Sequence, residues 1–64
     1  MKRQGMIIMI DHAMGRGTIT DTNAQDIDFC IDGSISHLCA GMTVIFIITE
    51  TPYGLIATEV EPLP

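Results

Sequence analysis

The stretch Met14-Gly15-Arg16-Gly17-Thr18-Ile19 decides the fold of this 64-residue chain. Two glycines flank one arginine, and the β-prone residues Thr18, Ile19 and Thr20 follow directly. Glycine permits a positive φ and a close approach between neighbouring groups, and a lone Gly-x-Gly pattern is common. We therefore predict that Gly15 and Gly17 form a bulge or tight corner leading into a short strand at residues 18–20, rather than a ligand site of their own.

Four further segments have the composition of β-strands. Residues 5–10, 43–49 and 55–61 are rich in apolar and β-branched side chains, and residues 25–31 alternate between apolar and polar positions. Turn residues separate the strands, and one short helical or 3₁₀ turn is expected at residues 35–40, after a turn at residues 32–34. Five short strands without a long helix predict an all-β antiparallel barrel, since closure removes exposed strand edges.

The composition and net charge limit the classes of protein to which this chain could belong. The chain is 47% hydrophobic and 17% charged, which predicts one small folded domain over residues 1–64 rather than a disordered segment. The net charge of -5 weighs against tight nonspecific binding of nucleic acid, because contacts to phosphates supply most of that affinity. No segment has the length and hydropathy of a membrane span, and the apolar run that Asp11 ends is too short for a signal peptide. The expected location is the cytoplasm.

Neither catalysis nor a cofactor is predicted. The aspartates lie mostly at strand ends and turns, where they cap backbone groups, and no nucleophile, base and orienting acid are recognisable. The spacing of Cys30, Cys39, His12 and His37 fits no standard zinc pattern, so no metal site is expected. One disulfide between the cysteines would be compatible with the sequence, but a cytosolic protein favours two free thiols.

Four segments resemble parts of the cold-shock domain, a five-stranded barrel of the OB type. The segment Gly5-Met6-Ile7-Ile8-Met9-Ile10-Asp11 is in step with the first strand of that family, and residues 14–19 occupy its motif Lys-Gly-Phe-Gly-Phe-Ile. Residues 26–31 are similar to the second motif, Asp-Val-Phe-Val-His-Phe, and residues 41–63 follow the last two strands without a gap. The resemblance implies a barrel core of apolar residues, all of which are apolar here: Ile7, Ile19, Ile27, Phe29, Val44, Phe46, Ile48 and Val60.

The resemblance also implies a nucleic-acid surface, but its residues have changed. Family members stack aromatic side chains on unpaired bases, each worth about 1–3 kcal/mol. This sequence has no aromatic residue at these positions. Where the family has two lysines that meet phosphates, it has Ile8 and Met14. Only Arg16 could still stack on a base or bind a phosphate. Weak or absent binding of single-stranded DNA or RNA is therefore expected. The equivalent positions are Met9, Arg16, Thr18, Asp28, Cys30 and Ile31.

Apolar residues lie where the resemblance implies the nucleic-acid surface. Met6, Met9 and Met14 cluster around the first strand with Ile8 and Ile10, and methionine adapts to varied partners. Exposed apolar patches usually mark interaction sites. The candidate interface residues are Ile8, Met9 and Ile10, with Ile45 and Ile47 as a second apolar surface on the other side. Two functions stay open: a module for protein interaction or homodimer formation, which the residues favour, and an atypical binder of single-stranded nucleic acid.

Overall fold

The structure, a computed structural model, describes residues 2–31 and 37–63. Each of the five predicted strands is present, and most are longer than their apolar segments because backbone pairing continues into the flanking polar residues. The exception is β3, which ends one residue short of the predicted segment at both ends. The strands are β1 (Arg3–Asp11), β2 (Arg16–Asp21), β3 (Asp26–Cys30), β4 (Thr43–Thr51) and β5 (Gly54–Pro62).

The strands close into one barrel in the order β1-β2-β3-β5-β4, with β4 pairing back onto β1. The predicted all-β barrel is confirmed, but its description as antiparallel is wrong at one place. Strands β3 and β5 are parallel, with Asp28 opposite Ile56 and Phe29 opposite Ala57. The reason is geometric: an odd number of strands cannot alternate in direction around a closed ring, so one neighbouring pair must run the same way.

The barrel interior contains the expected side chains. Seven of the eight predicted core residues are buried, and Ile48 is partly buried against them. Two buried residues, Leu38 and Ala57, were not among the eight. The outward positions of β3 are exposed, so the alternation read from residues 25–31 is confirmed up to Cys30.

Gly17 lies inside the barrel wall, directly against Phe29. A Cβ atom at Gly17 would lie 2.5 Å from Phe29 Cζ, 2.6 Å from Phe29 Cε1 and 3.0 Å from the carbonyl oxygen of Met9. Gly15 has a φ of 67°, and its carbonyl oxygen accepts a 2.8 Å hydrogen bond from the Ile31 N–H. Gly15 therefore serves the backbone corner, as predicted, whereas Gly17 lies within β2 and serves the packing of Phe29, which the sequence did not predict.

The turn between β2 and β3 is organised by Asp21, whose side chain is buried. Its Oδ1 accepts hydrogen bonds from the backbone N–H groups of Asn23 at 2.8 Å and Gln25 at 3.0 Å. Its Oδ2 lies 3.6 Å from Arg3 Nη1. A short aspartate at the end of a strand can satisfy the N–H groups of the following turn, which explains the tight return of the chain.

The chain reaches β4 through a segment whose described part, residues 37–42, contains turns and no helix. The expected turn at residues 32–34 and the start of the expected helical turn lie outside the described residues. Leu38 is 2% exposed and joins the core, while the Gly41 N–H donates to the Ile7 carbonyl at 2.8 Å and the Ile7 N–H to the Met42 carbonyl at 2.9 Å. These bonds extend the pairing of β1, and residues 37–40 do not form the expected helical turn. In residues 2–31 and 37–63, no helix has the length and apolar character needed to cross a membrane.

Candidate interaction surface

The outer face of β1, β2 and β3 is the surface that the resemblance singled out. Side chains on neighbouring antiparallel strands stand beside each other when their residues are paired, so the strand registers define rows across this face. Along β2 and β3, the outward residues alternate with Ile19, Ile27 and Phe29, which are buried and point into the barrel. The outward rows are Met6, Thr20 and Asp26; Met9, Thr18 and Asp28; and Asp11, Arg16 and Cys30.

A β-bulge in β1 sets which apolar side chains are outside. Ile7 pairs with Ile19 and Met9 pairs with Thr18, so Ile8 is the additional residue on β1. A bulge of this kind shifts the alternation of the strand by one residue. Ile8 and Met9 therefore both face outward, and Ile10 turns back to pack partly against the core. The expectation that Ile10 contributes to the outer surface together with Ile8 and Met9 is wrong for this reason.

Exposed apolar side chains cover the β1 side of this face. Met6 and Ile8 are each 48% exposed, Met9 is 49% exposed and Met14 is 66% exposed. Met6 and Ile8 line one shallow groove, and Met9 and Met14 line another. We call these four residues the β1 patch. Met6 and Met14 were missing from the interface candidates, although the period-two spacing of Met6 and Ile8 already places them on one side of a strand.

The polar part of the face pairs internally. Arg16 Nη2 lies 3.4 Å from Asp28 Oδ2, and Thr18 Oγ1 donates a 3.2 Å hydrogen bond to Asp28 Oδ1. Beside them, Thr20 Oγ1 donates to Asp26 Oδ1 at 2.9 Å. Among the positions that the resemblance singles out, Arg16 was the one cation expected to contact nucleic acid, and a carboxylate of the next strand lies beside it. Both side chains are more than half exposed, so this ion pair is weak, but a phosphate at this position would meet the negative charge of Asp28.

Aromatic side chains are located elsewhere. Of the three in the sequence, Phe29 and Phe46 are 1% and 0% exposed in the core, and Tyr53 is fully exposed in the turn between β4 and β5. None can stack on a base that lies on β1, β2 and β3. The outer face of β1, β2 and β3 therefore has no aromatic side chain for stacking, and its cation Arg16 lies beside a carboxylate.

The two remaining positions at which nucleic-acid contacts were expected, Cys30 and Ile31, differ in their exposure. Cys30 is exposed at the end of β3 beside Arg16, whereas Ile31 is partly buried, packs against the core and bonds to Gly15 through its backbone N–H. Met9, Arg16, Thr18, Asp28 and Cys30 do share one face, but Ile31 is not on it. Both cysteine thiols are free.

Ile45 and Ile47 lie on the outer side of β4, and they alternate along it with the buried residues Val44 and Phe46. Both are partly buried rather than exposed. Ile45 is paired with Gln4 of β1, so this surface continues from β1 around the barrel instead of lying on the other side of the molecule. The physical reason is the closure of the sheet, which makes β4 the neighbour of β1.

In residues 2–31 and 37–63, no group of three His, Cys, Asp or Glu side chains is arranged to bind a metal ion. Five polar side chains of this face bond to one another, namely Arg16, Thr18, Thr20, Asp26 and Asp28, and the grooves beside the β1 patch are shallow. No protein-family model matches the sequence, and no curated protein is similar to it.

Proposed function

We propose that this chain is a non-enzymatic barrel of the OB type, similar to the cold-shock domain, that functions as a protein-interaction module and forms homodimers. The fold part of the proposal is supported by the strand order and by the parallel contact between β3 and β5, which fit a five-stranded Greek-key barrel. A fold does not determine a function, so the functional part of the proposal rests on the residues of the surface.

One observation carries the interaction proposal: the β1 patch covers the side of the barrel where the resemblance implies bound nucleic acid. Four large apolar side chains, about half exposed or more, are grouped around one strand of a chain with few charges. Burying apolar area of this kind gains roughly 25 cal/mol per Å². Methionine side chains can repack against a partner surface at little cost because they are unbranched and flexible.

Binding of single-stranded nucleic acid is the second candidate, and it is favoured by the cold-shock resemblance and by the exposed Arg16 side chain. Two observations weigh against it. The cations Lys2, Arg3 and Arg16, which are all the lysine and arginine of the chain, each lie within 4 Å of a carboxylate, and the net charge is -5. An acidic protein without stacking side chains on the relevant face gains little from a polyanion.

We expect sedimentation velocity to resolve a monomer and a dimer whose proportions change from micromolar to millimolar protein. Met9→Glu should move the equilibrium to the monomer, because a charge would have to be buried in the centre of the interface. Leu55→Glu is the matched control: it introduces the same charge at an exposed apolar residue of β5, outside the β1 patch. It should leave the dimer unchanged.

A sedimentation coefficient of a monomer at every concentration would contradict dimer formation. Equal effects of Met9→Glu and Leu55→Glu would show that added negative charge, rather than loss of the β1 patch, controls association. Circular dichroism of both variants should match that of the unmodified chain, since both sites are exposed.

A further inference from the structure

The outward side of β1 is polar at both ends and apolar in the middle. Lys2 precedes the strand, Asp11 ends it, and the exposed residues Met6, Ile8 and Met9 lie between them. The bulge at Ile8 is what places Asp11 on the outer face, since Asp11 is paired with Arg16 there. One strand therefore presents a positive end, an apolar centre and a negative end along a single surface.

Lys2 and Asp11 are both able to engage a partner. Lys2 Nζ lies 3.9 Å from Glu61 Oε2, and both side chains are more than half exposed, so this ion pair is weak and can rearrange. Asp11 Oδ1 accepts one hydrogen bond, from the Met14 N–H at 3.1 Å. An ionised carboxylate has about four acceptor positions and can take a further donor.

The size of the β1 patch indicates that these ends must join the interface. Four side chains about half exposed leave an apolar area on the order of 400 Å², which is ordinary for the largest patch of a small protein. A stable interface buries roughly 800 Å² on each partner. The apolar centre alone supplies about half of that area, and Lys2, Gln4 and Asp11 are its neighbours along the strand.

We infer that the partner is a second copy of this chain, packed so that β1 crosses its copy antiparallel and Lys2 of each protomer meets Asp11 of the other. This inference rests on the proposed function and specifies its geometry. A two-fold axis in the interface, perpendicular to the strand, reverses the direction of β1 and brings unlike charges together. An axis along the strand would instead place Lys2 against Lys2 and Asp11 against Asp11, which is unfavourable.

Charge reversal with rescue tests this arrangement. Lys2→Glu and Asp11→Lys should each weaken the dimer about tenfold, because every dimer contains the altered contact twice. The double variant Lys2→Glu/Asp11→Lys should recover the dissociation constant to within about threefold. Rescue within one chain is excluded by distance, since nine residues of extended strand separate the two positions by roughly 30 Å.

Asp11→Lys also removes the acceptor of the Met14 N–H, so Asp11→Asn serves as the second variant. It keeps that acceptor and removes only the charge. The dimer of the unmodified chain should weaken several-fold on going from low to high salt, and the dimer of Asp11→Asn should show little of this dependence.

The outcomes separate this inference from the proposed function. A double variant no better than the single variants, or single variants without effect in a chain whose dimer Met9→Glu dissociates, would overturn the antiparallel arrangement and leave self-association standing. An unmodified chain that is monomeric throughout would overturn both. Recovery in the double variant, together with the loss of salt dependence in Asp11→Asn, is the result expected.

Discussion

Replacing Gly17 with alanine is expected to destabilise the barrel by about 3 kcal/mol, because the added methyl group overlaps a packed aromatic ring. The new Cβ atom would lie 2.5 Å from Phe29 Cζ and 2.6 Å from Phe29 Cε1. Phe29 is 1% exposed and cannot swing outward without opening the core. A chain of this length has a stability of roughly 3–10 kcal/mol, so the loss is a large share of the total. Urea unfolding followed by circular dichroism measures it.

The neighbouring substitution Arg16→Ala is the control, and it should change stability by less than about 0.5 kcal/mol because Arg16 is exposed. Replacing the phenyl ring with the smaller leucine side chain in Gly17→Ala/Phe29→Leu should make room for the added methyl group. The double variant should then lose less free energy of unfolding than the two single variants lose together. A Gly17→Ala protein as stable as the unmodified chain would show that the glycine is not required for packing.

The second large effect is expected for Asp21→Ala, which should cost about 3 kcal/mol. The substitution leaves the backbone N–H groups of Asn23 and Gln25 without the carboxylate that accepts them, and each lost hydrogen bond to a charged group is worth about 1.5–3 kcal/mol. Partial exposure of this turn lets water replace some of the loss. Thermal unfolding of the variant measures the effect.

Asp21→Asn separates the two roles of the side chain. The amide oxygen can still accept both hydrogen bonds, but the interaction with Arg3 at 3.6 Å is lost, so we expect a smaller cost of about 1 kcal/mol. Thr22→Ala, in the same turn and exposed, should have almost no effect. Equal losses in Asp21→Ala and Asp21→Asn would assign the stabilisation to the ion pair instead of the turn.

Much of the barrel could be predicted because its strands obey simple patterns. In β3, Ile27 and Phe29 point inward while Asp26, Asp28 and Cys30 point outward, so a period of two gave the correct faces. Gly15 was correctly assigned to a backbone corner, but the packing of Gly17 against Phe29 was not foreseen. The alternation of β3 and the corner at Gly15 depend on local sequence, which a single chain displays directly.

The features that could not be predicted depend on contacts between distant residues. Leu38 is one apolar residue in a segment without periodicity, and only the assembled barrel gives it a buried position. The bulge that turns Ile10 inward results from the register of β1 against β2. A similar irregularity between Ile45 and Ile47 shifts the pairing of β4 with β5, so Ala57 and Val60, three residues apart, are both buried.

The same argument holds for the candidate surface. The absence of aromatic residues at the positions that the resemblance singles out, and the number of methionines near β1, could be read from the sequence. The pairing of Arg16 with Asp28 required the cross-strand register that brings them within 3.4 Å. This pair places a carboxylate beside Arg16, although both side chains are more than half exposed. The β1 patch then remains as a group of exposed apolar side chains on this face.

The central claim is that this surface binds another protein chain in place of nucleic acid, and amide resonances of an isotope-labelled sample test it most directly. On dilution from millimolar to micromolar protein, we predict shift changes concentrated in residues 4–11 of β1 and in Met14, with little further change when oligo-dT is added at moderate salt. Spectra that do not change on dilution, together with large changes at Arg16, Thr18 and Asp28 on adding oligo-dT, would contradict the account.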